Sequence, residues 1–374
     1  MIYTLLTLLL SPLLRLFLRP AAVPPQRVLV IQVAKIGDAI CTTPLLRELR
    51  AGLPQATIGV LAAAVTAPLL RANPRIDTVM VADPAQWRGL SGKLRLAARL
   101  RRERFDAVLC CNGGAVWPAV TLWAGIPLRI GVLPNFAGRT QALAGRLWTR
   151  GVRHRGERLI VATYFDMLRA LGLAPAVADK EVFAAVGADE RAAALLPEGG
   201  TPIGIAVSAA NKLKELGGDK LAAVAAGLLD AFPACRIVLL GTAGDAARAA
   251  AVLAALAPAQ RERVVDTCGR VALADLPALL RRLTAFVGVD SGLTYMADAL
   301  ALPLVSVAGP CNMAETRPVN PRATIIQRQL PCLPCAHIFR APSTCHVGTL
   351  ACVRDITAAE IEAAVRAVLR EPAA

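Results

Sequence analysis

The sequence predicts an α/β protein made of two doubly wound, parallel-sheet domains, and three observations carry that expectation. Short, almost continuous apolar runs alternate with helical patterns, which is how parallel strands buried on both faces read. The alternation stops in a glycine- and proline-rich stretch and then restarts, which marks a boundary between two domains. Of the 374 residues, 55% are hydrophobic and only 18% charged, too apolar for disorder and sufficient for two cores.

Met1 to Leu14 carries no charge and is followed by Arg15 and Arg19. The run is shorter than the roughly 20 apolar residues of a spanning helix. It lacks the basic start of a secretory signal, although Pro20, Ala21 and Ala22 follow it. Residues 1–24 are therefore set apart as a membrane-associating segment, with an in-plane anchor expected ahead of a span or a cleaved signal. After Pro24 and Pro25, a first Rossmann-like domain is expected over 25–180. Its strands are Arg27 to Val33, Thr57 to Ala62, Val79 to Ala82 and Ala107 to Cys110, with a helix over Pro44 to Leu53. Gly172, Pro175, Gly187, Pro197, Gly199 and Gly200 mark the break, and the linker is placed at 181–200. A second Rossmann-like domain follows over 201–356, with strands Ile203 to Val207, Arg236 to Leu240, Ala285 to Val289 and Leu304 to Val307, and a last helix over 357–374. Such crossover units gather ligands at the carboxyl ends of their strands, and two of them facing one another would enclose a cleft.

Forty-two basic residues against 27 acidic ones give a formal charge of +15, which favours anionic partners. Aromatic residues make up 4%, too few for the stacking platforms of single-strand nucleic-acid binders, so no nucleic-acid partner is expected. Lysine is rare, yet Lys212, Lys214 and Lys220 fall within nine positions. Lys93 to Arg104 and Arg139 to Arg158 each read as a basic helical stretch, either a solvated face or a contact to an anionic membrane surface. Trp117 and Trp123 read as core residues. The ten cysteines do not form a small secreted disulfide framework.

The first strand runs into Lys35-Ile36-Gly37-Asp38, where Gly37 allows a tight turn and Asp38 stands at a helix start. A carboxylate there serves either as a helix cap or as a general base at a cleft. Lys35 would meet a phosphate or pair with Asp38. In the second domain, Ser208 to Lys214 is a polar, basic loop directly after a buried strand, suited to a diphosphate or simply a solvated turn. Two later strand ends repeat a glycine and a polar helix start. Asp245 in the first could accept from ribose hydroxyls, and Ser291, Gly292 and Leu293 in the second could present amides to a phosphate. Neither is a GxGxxG or Walker motif, which weighs against dehydrogenase and P-loop readings.

Taken in order, these stretches resemble glycosyltransferase family 9, the heptosyltransferases of the lipopolysaccharide inner core. IGDAICTTPLLRELR is similar to the family's opening loop and helix, and WAGIPLRIGV and RHRGERLIVATYFDMLRALGL resemble its middle segments. VGVDSGLTYMADALALPLVSVAGPCNMAETRP is the most specific match, and the resemblance spans residues 27–370. It implies a GT-B fold, with a nucleotide-diphospho-heptose donor, ADP-heptose foremost, on the second domain and a lipid-linked saccharide acceptor on the first. Asp38 matches the family's base, with Lys35 and Gly37 on the acceptor side. Ser208 and Lys214 match the diphosphate contacts, with Lys212 expected as a further donor contact, Asp245 stands near the ribose-binding acid, and Asp290, Ser291, Gly292 and Leu293 match the donor loop. The chain departs from the pattern at Leu216-Gly217, where the family has tryptophan-proline, at Tyr295, where it has histidine, and at Asp245, where glutamate is common.

The implied chemistry is inverting displacement at the anomeric carbon, with Asp38 taking the acceptor proton and Lys214 stabilising the leaving diphosphate, and no cofactor is required. The implied location is the cytoplasmic face of the bacterial inner membrane. The alternatives are the same fold with another nucleotide sugar, or a catalytically degenerate membrane-associated or metal-binding scaffold. Cys332, Cys335, Cys345 and Cys352 have C-x2-C-x9-C-x6-C spacing, which suits a structural zinc site. Buried unligated thiols, a disulfide pair and an iron–sulfur cluster stay open, and clustered cysteines here also resemble a recurring family feature.

Overall fold

The computed structural model describes residues 2–20, 22–196 and 199–370. Met1 and Ala21 of the N-terminal segment, residues 197 and 198 of the expected linker and residues 371–374 of the last helix lie outside them. The chain divides into two compact units, Met1–Ala178 and Asp179–Ala374.

In the first unit the strands are β1 (Arg27–Gln32), β2 (Thr57–Ala63), β3 (Thr78–Ala82), β4 (Ala107–Cys110), β5 (Leu128–Leu133) and β6 (Arg150–Arg153). Its helices are α1 (Ile2–Leu16), α2 (Ile36–Cys41), α3 (Thr43–Gly52), α4 (Ala67–Arg71), α5 (Gly89–Arg102), α6 (Val116–Trp123), α7 (Arg139–Gly145) and α8 (Ile160–Leu171). The sheet order is β3-β2-β1-β4-β5-β6, every pair parallel. The expected strands stand within a residue or two of their predicted limits; β1, β2 and β4 are apolar enough to be covered on both faces, while β3 is buried only in part. Trp117 is buried in the core, and Trp87 meets its ring edge-on at 5.2 Å.

One expectation needs correction in this unit. The stretch Arg139 to Arg158 is not one basic helix: α7 ends at Gly145, and Arg150–Arg153 pairs with β5 as an edge strand. Gly151 lets this strand lie against Leu133, whose side chain a Cβ at 151 would meet at 2.7 Å. The N-terminal segment forms α1, and among the described residues no helix is long and apolar enough to cross a membrane. Trp123 is half-buried: it packs against the main core of this unit and, edge-on, against Tyr3 of α1, ring centroids 6.2 Å apart.

The second unit repeats the pattern with β7 (Thr201–Ala206), β8 (Cys235–Leu240), β9 (Val264–Asp266), β10 (Ala285–Val289), β11 (Leu304–Val307) and β12 (Ala323–Ile326). Its helices are α9 (Ala188–Leu195), α10 (Gly218–Ala231), α11 (Ala246–Ala254), α12 (Pro258–Arg261), α13 (Leu276–Arg281), α14 (Gly292–Ala299), α15 (Ala351–Arg354) and α16 (Ala358–Arg370). The order β12-β11-β10-β7-β8-β9 is again fully parallel. In both sheets the strand order reverses beside the first strand, between β1 and β4 and between β7 and β10, which is where ligands bind in open α/β sheets.

The expected linker at 181–200 is not free chain. Residues 188–195 form α9, which packs on α13, buries Ala188 and Ala192, and is tied down by Arg191 to Asp275 at 2.6 and 2.8 Å. The chain enters this unit at Lys180, whose ammonium donates to Asp298 at 2.8 Å with both side chains almost fully buried. The other oxygen of Asp298 accepts the amides of Val319 and Asn320. The last helix, α16, closes the unit against α10 and β11.

Candidate active site

At the carboxyl end of β1, the chain turns into α2 through a network of amides and hydroxyls. Asn112, just past β4, accepts the Val33 amide at 2.7 Å and donates to Gln32 at 2.9 Å. Gln32 in turn donates to Thr42 at 2.8 Å, and Thr42 donates to the Asp38 carbonyl at 2.8 Å. This network fixes the Asp38 backbone in the first turn of α2. Its half-buried carboxylate accepts the Lys35 amide at 3.2 Å. Asp38 thus caps the helix with one oxygen, so the cap and the base are not exclusive roles. The Lys35 side chain is exposed, and it is the amide of that residue, not its ammonium, that meets Asp38.

In the second unit the structure brings Lys214 and Asp290 together across the switch between β7 and β10. Lys214 Nζ donates to Asp290 Oδ2 at 2.5 Å, and the Cys311 thiol donates to the same oxygen at 3.0 Å. The Tyr295 hydroxyl donates to Oδ1. Burial alone would lower the Lys214 pKa, but the charge of Asp290 outweighs it and raises the value, so the ammonium stays charged. Burial, then the same carboxylate, push the Cys311 thiol well up, so it stays protonated.

Asp290 is followed by Ser291, the N-cap of α14, whose Oγ is buried with no hydrogen-bond partner. An orphaned hydroxyl at the start of a helix, next to a fixed ammonium, is a place where an anionic oxygen would be satisfied. Gly292 and Leu293 supply the first amides of α14. Gly288 permits this helix to sit close, since a Cβ there would stand 2.7 Å from Thr294 Oγ1.

The neighbouring strand ends separate the other expected contacts. Ser208 is bonded to Asp245, whose Oδ2 also accepts the Thr242 amide at 2.8 Å and its hydroxyl at 2.6 Å. Burial acts to raise the Asp245 pKa, but these hydrogen bonds and the charge of Lys212 prevail and hold it below the usual carboxylate range. Lys212 itself is largely exposed and pairs with Glu215 at 2.6 Å, away from the Lys214 cluster. Glu215 also accepts the Ala209 amide at 3.0 Å and faces Arg248, which makes it the organiser of the loop. Asn211 ties the loop to the cysteine segment by donating to the Pro342 carbonyl at 3.2 Å.

Cys332, Cys335, Cys345 and Cys352 line one small pocket with His346, Leu213 and Leu350. The donor set suits a tetrahedral soft metal, yet among the described residues no three His, Cys, Asp or Glu side chains stand in a metal-holding group. All ten cysteines are free thiols.

Sequence reasoning missed Cys311, Glu215, Thr242, Gln32 and Asn112. Cys311, Asn112 and Thr242 each lie just past a strand's carboxyl end, and that position was the one available signal.

The family profile for glycosyltransferase family 9 (heptosyltransferase) matches residues 93–343, which takes in the whole Lys214–Asp290–Cys311 cluster. Lipopolysaccharide heptosyltransferase 2 of Escherichia coli (strain K12) is 27% identical over 317 residues, covering 81% of this chain and 88% of that protein. Lipopolysaccharide heptosyltransferase 3 of Escherichia coli is 25% identical over 289 residues, covering 75% and 83%. Among solved structures, a family 9 glycosyl transferase from Veillonella parvula DSM 2008 has a TM-score of 0.78 at 19% identity, over 93% of this chain and 98% of that one. E. coli ADP-heptose LPS heptosyltransferase II gives 0.73 at 24% identity, over 92% and 98%. Both share the two-sheet GT-B architecture. With the profile spanning most of the chain and the fold in agreement, this protein belongs to glycosyltransferase family 9, the heptosyltransferase family, and is a glycosyltransferase.

Proposed function

We propose that the protein transfers a heptose from ADP-heptose to a saccharide of the lipopolysaccharide core, with inversion at the anomeric carbon. The observation that carries this reading is the Lys214–Asp290 pair beside the orphaned Ser291 hydroxyl at the start of α14, a preformed seat for a diphosphate. The names of the curated relatives support the sugar and the acceptor, and E. coli heptosyltransferase WaaC has been solved with ADP-2-deoxy-2-fluoro heptose, which supports the nucleotide.

In the proposed step an acceptor oxygen bonds to the anomeric carbon as the bond from that carbon to the diphosphate breaks. The acceptor proton passes to Asp38, and the electron pair leaves on the nucleoside diphosphate. Lys214, Ser291 and the first amides of α14 stabilise the charge that grows there. Asp245, ionised and hydrogen-bonded to Ser208, would accept from ribose hydroxyls. Lys212 pairs with Glu215 at the loop surface, so we assign it loop stability in place of donor contact. No cofactor enters this chemistry. The cysteine segment braces the donor loop through Asn211, and no metal is assigned to its four thiols, which line one pocket without forming a metal-holding group among the described residues.

Calorimetric titration with ADP, ADP-heptose and uridine-based sugars tests the reading, beside transfer to a core-type acceptor. Tight ADP-heptose binding that weakens in Lys214→Ala supports it. Binding of a uridine sugar in preference would move the assignment to another donor, and no binding by folded protein would favour the scaffold alternative.

A further inference from the structure

We propose that α1 and the basic elements beside it form an in-plane docking surface for an anionic lipid bilayer. A surface helix ordinarily turns its apolar side inward. Here the inward side is made of Thr4, Thr7 and Ser11, at 1%, 3% and 9% exposure, while Leu9, Leu16 and Phe17 are 75%, 78% and 82% exposed. Small hydroxyl residues allow close approach to α6 and α7, where Tyr3, Leu8 and Leu14 cover Ala119, Leu122 and Leu147. Two of the hydroxyls are spent within the helix, Thr7 donating to the Tyr3 carbonyl at 2.7 Å and Ser11 to the Leu8 carbonyl at 2.9 Å, while that of Thr4 is buried with no hydrogen-bond partner. The Ser11 bond fills the place of the amide that Pro12 lacks. The helix is thus held sideways on the first unit with a ridge of leucines facing outward, a contiguous apolar patch of the kind that marks an interaction surface.

Charge decides the occupant. Residues 1–37, 84–102 and 107–156 contain no aspartate or glutamate, and these segments supply α1, α5, α6 and α7. Lys93 Nζ stands 5.2 Å from the centroid of the Tyr3 ring, between the exposed Leu90 and Leu94 of α5. Arg15 reaches the Arg146 carbonyl, and Arg95, Arg139 and Arg146 are exposed around the ridge. An apolar ridge ringed by arginine and lysine suits acyl chains below and phosphate headgroups around it, whereas a second copy of the same face would bring like charges together. At 15 residues, α1 is about 22 Å long, short of the roughly 30 Å hydrocarbon core.

Flotation of the full chain with phosphatidylcholine vesicles, with and without phosphatidylglycerol, tests this without any nucleotide, so the outcome is independent of the donor assignment. The chain should float with the anionic vesicles and far less with the neutral ones. Leu9→Glu combined with Leu13→Glu should cut the partition coefficient at least about tenfold with the melting temperature unchanged, since both side chains are exposed. Leu9→Ser with Leu13→Ser serves if the charged pair disturbs folding, and Arg95→Glu with Arg139→Glu should weaken binding to anionic vesicles alone. Equal vesicle binding by wild type and the leucine variants would overturn the proposal. So would a wild-type dimer that those variants split and that ignores vesicles.

Discussion

Replacing Lys214 by alanine separates what the lysine does for the fold from what it does for the leaving group. In the resting protein Lys214 is one of three donors to Asp290, and the two side chains are 17% and 8% exposed. Removing one partner of a fully buried ion pair costs about 3–5 kcal/mol. Here the Tyr295 hydroxyl and the Cys311 thiol remain on the carboxylate, so about 1–3 kcal/mol of stability should be lost. During transfer the loss is larger in kind, because charge develops on the diphosphate and the fixed ammonium is gone. Removing one such preorganised group lowers kcat by roughly 10²–10³. Single-turnover transfer with saturating donor measures the chemical step, and urea unfolding measures the fold. A folded Lys214→Ala protein whose turnover stays within about threefold of wild type, a difference under about 1 kcal/mol in barrier, would refute the assignment.

Asp38→Asn should lower kcat by about 10²–10⁴ and leave donor binding by calorimetry unchanged, because on the proposed reading the carboxylate would take the acceptor proton while the donor contacts lie in the second unit. Lys180→Met should destabilise the second unit by about 3–5 kcal/mol in urea unfolding, since Asp298 stays buried without its counter-ion. Glu360 accepts from Arg328 and from Thr357, which hold its pKa down at about 2, below its unfolded value. Its contribution is therefore present above the unfolded pKa and is lost as pH falls towards 2, so the melting-temperature gap between wild type and Glu360→Gln should be full at neutral pH and close on acidification.

How much of this was legible in the sequence follows from what each element needs locally. β1, β4, β10 and β11 are covered on both faces, so each is a nearly unbroken apolar run. β5 interrupts that signal with Arg129, which is fully buried yet donates to the carbonyls of Ile126, Pro127 and Leu147, and burial pushes its pKa down to about 10. β6 is an exposed edge of two arginines, a glycine and a valine, and β12 is half-buried throughout, so neither has a periodic pattern to read. The inverted facing of α1 was equally hidden, because leucines lie on both sides of the helix and only the partner surface selects the hydroxyl stripe. In the site, Asp290 and Ser291 stood out as a strand-to-helix turn. Cys311 did not, since its role arises from a tertiary contact 21 residues away.

The two sheets share one strand order, and their sites occupy the same topological position, yet they are built from different chemistry. In the first unit, neutral groups from Gln32, Asn112 and Thr42 hold the backbone around Asp38. In the second, an ion pair with two further donors surrounds Asp290 and the helix start beside it. On the proposed reading, the first frame holds the backbone of the residue that would take the acceptor proton. A fixed ammonium at a helix amino terminus suits an anion that gains charge as it departs. The repeated scaffold therefore supplies equivalent places for polar groups, and on the proposed reading the side chains at each switch point would decide which half of the reaction it serves.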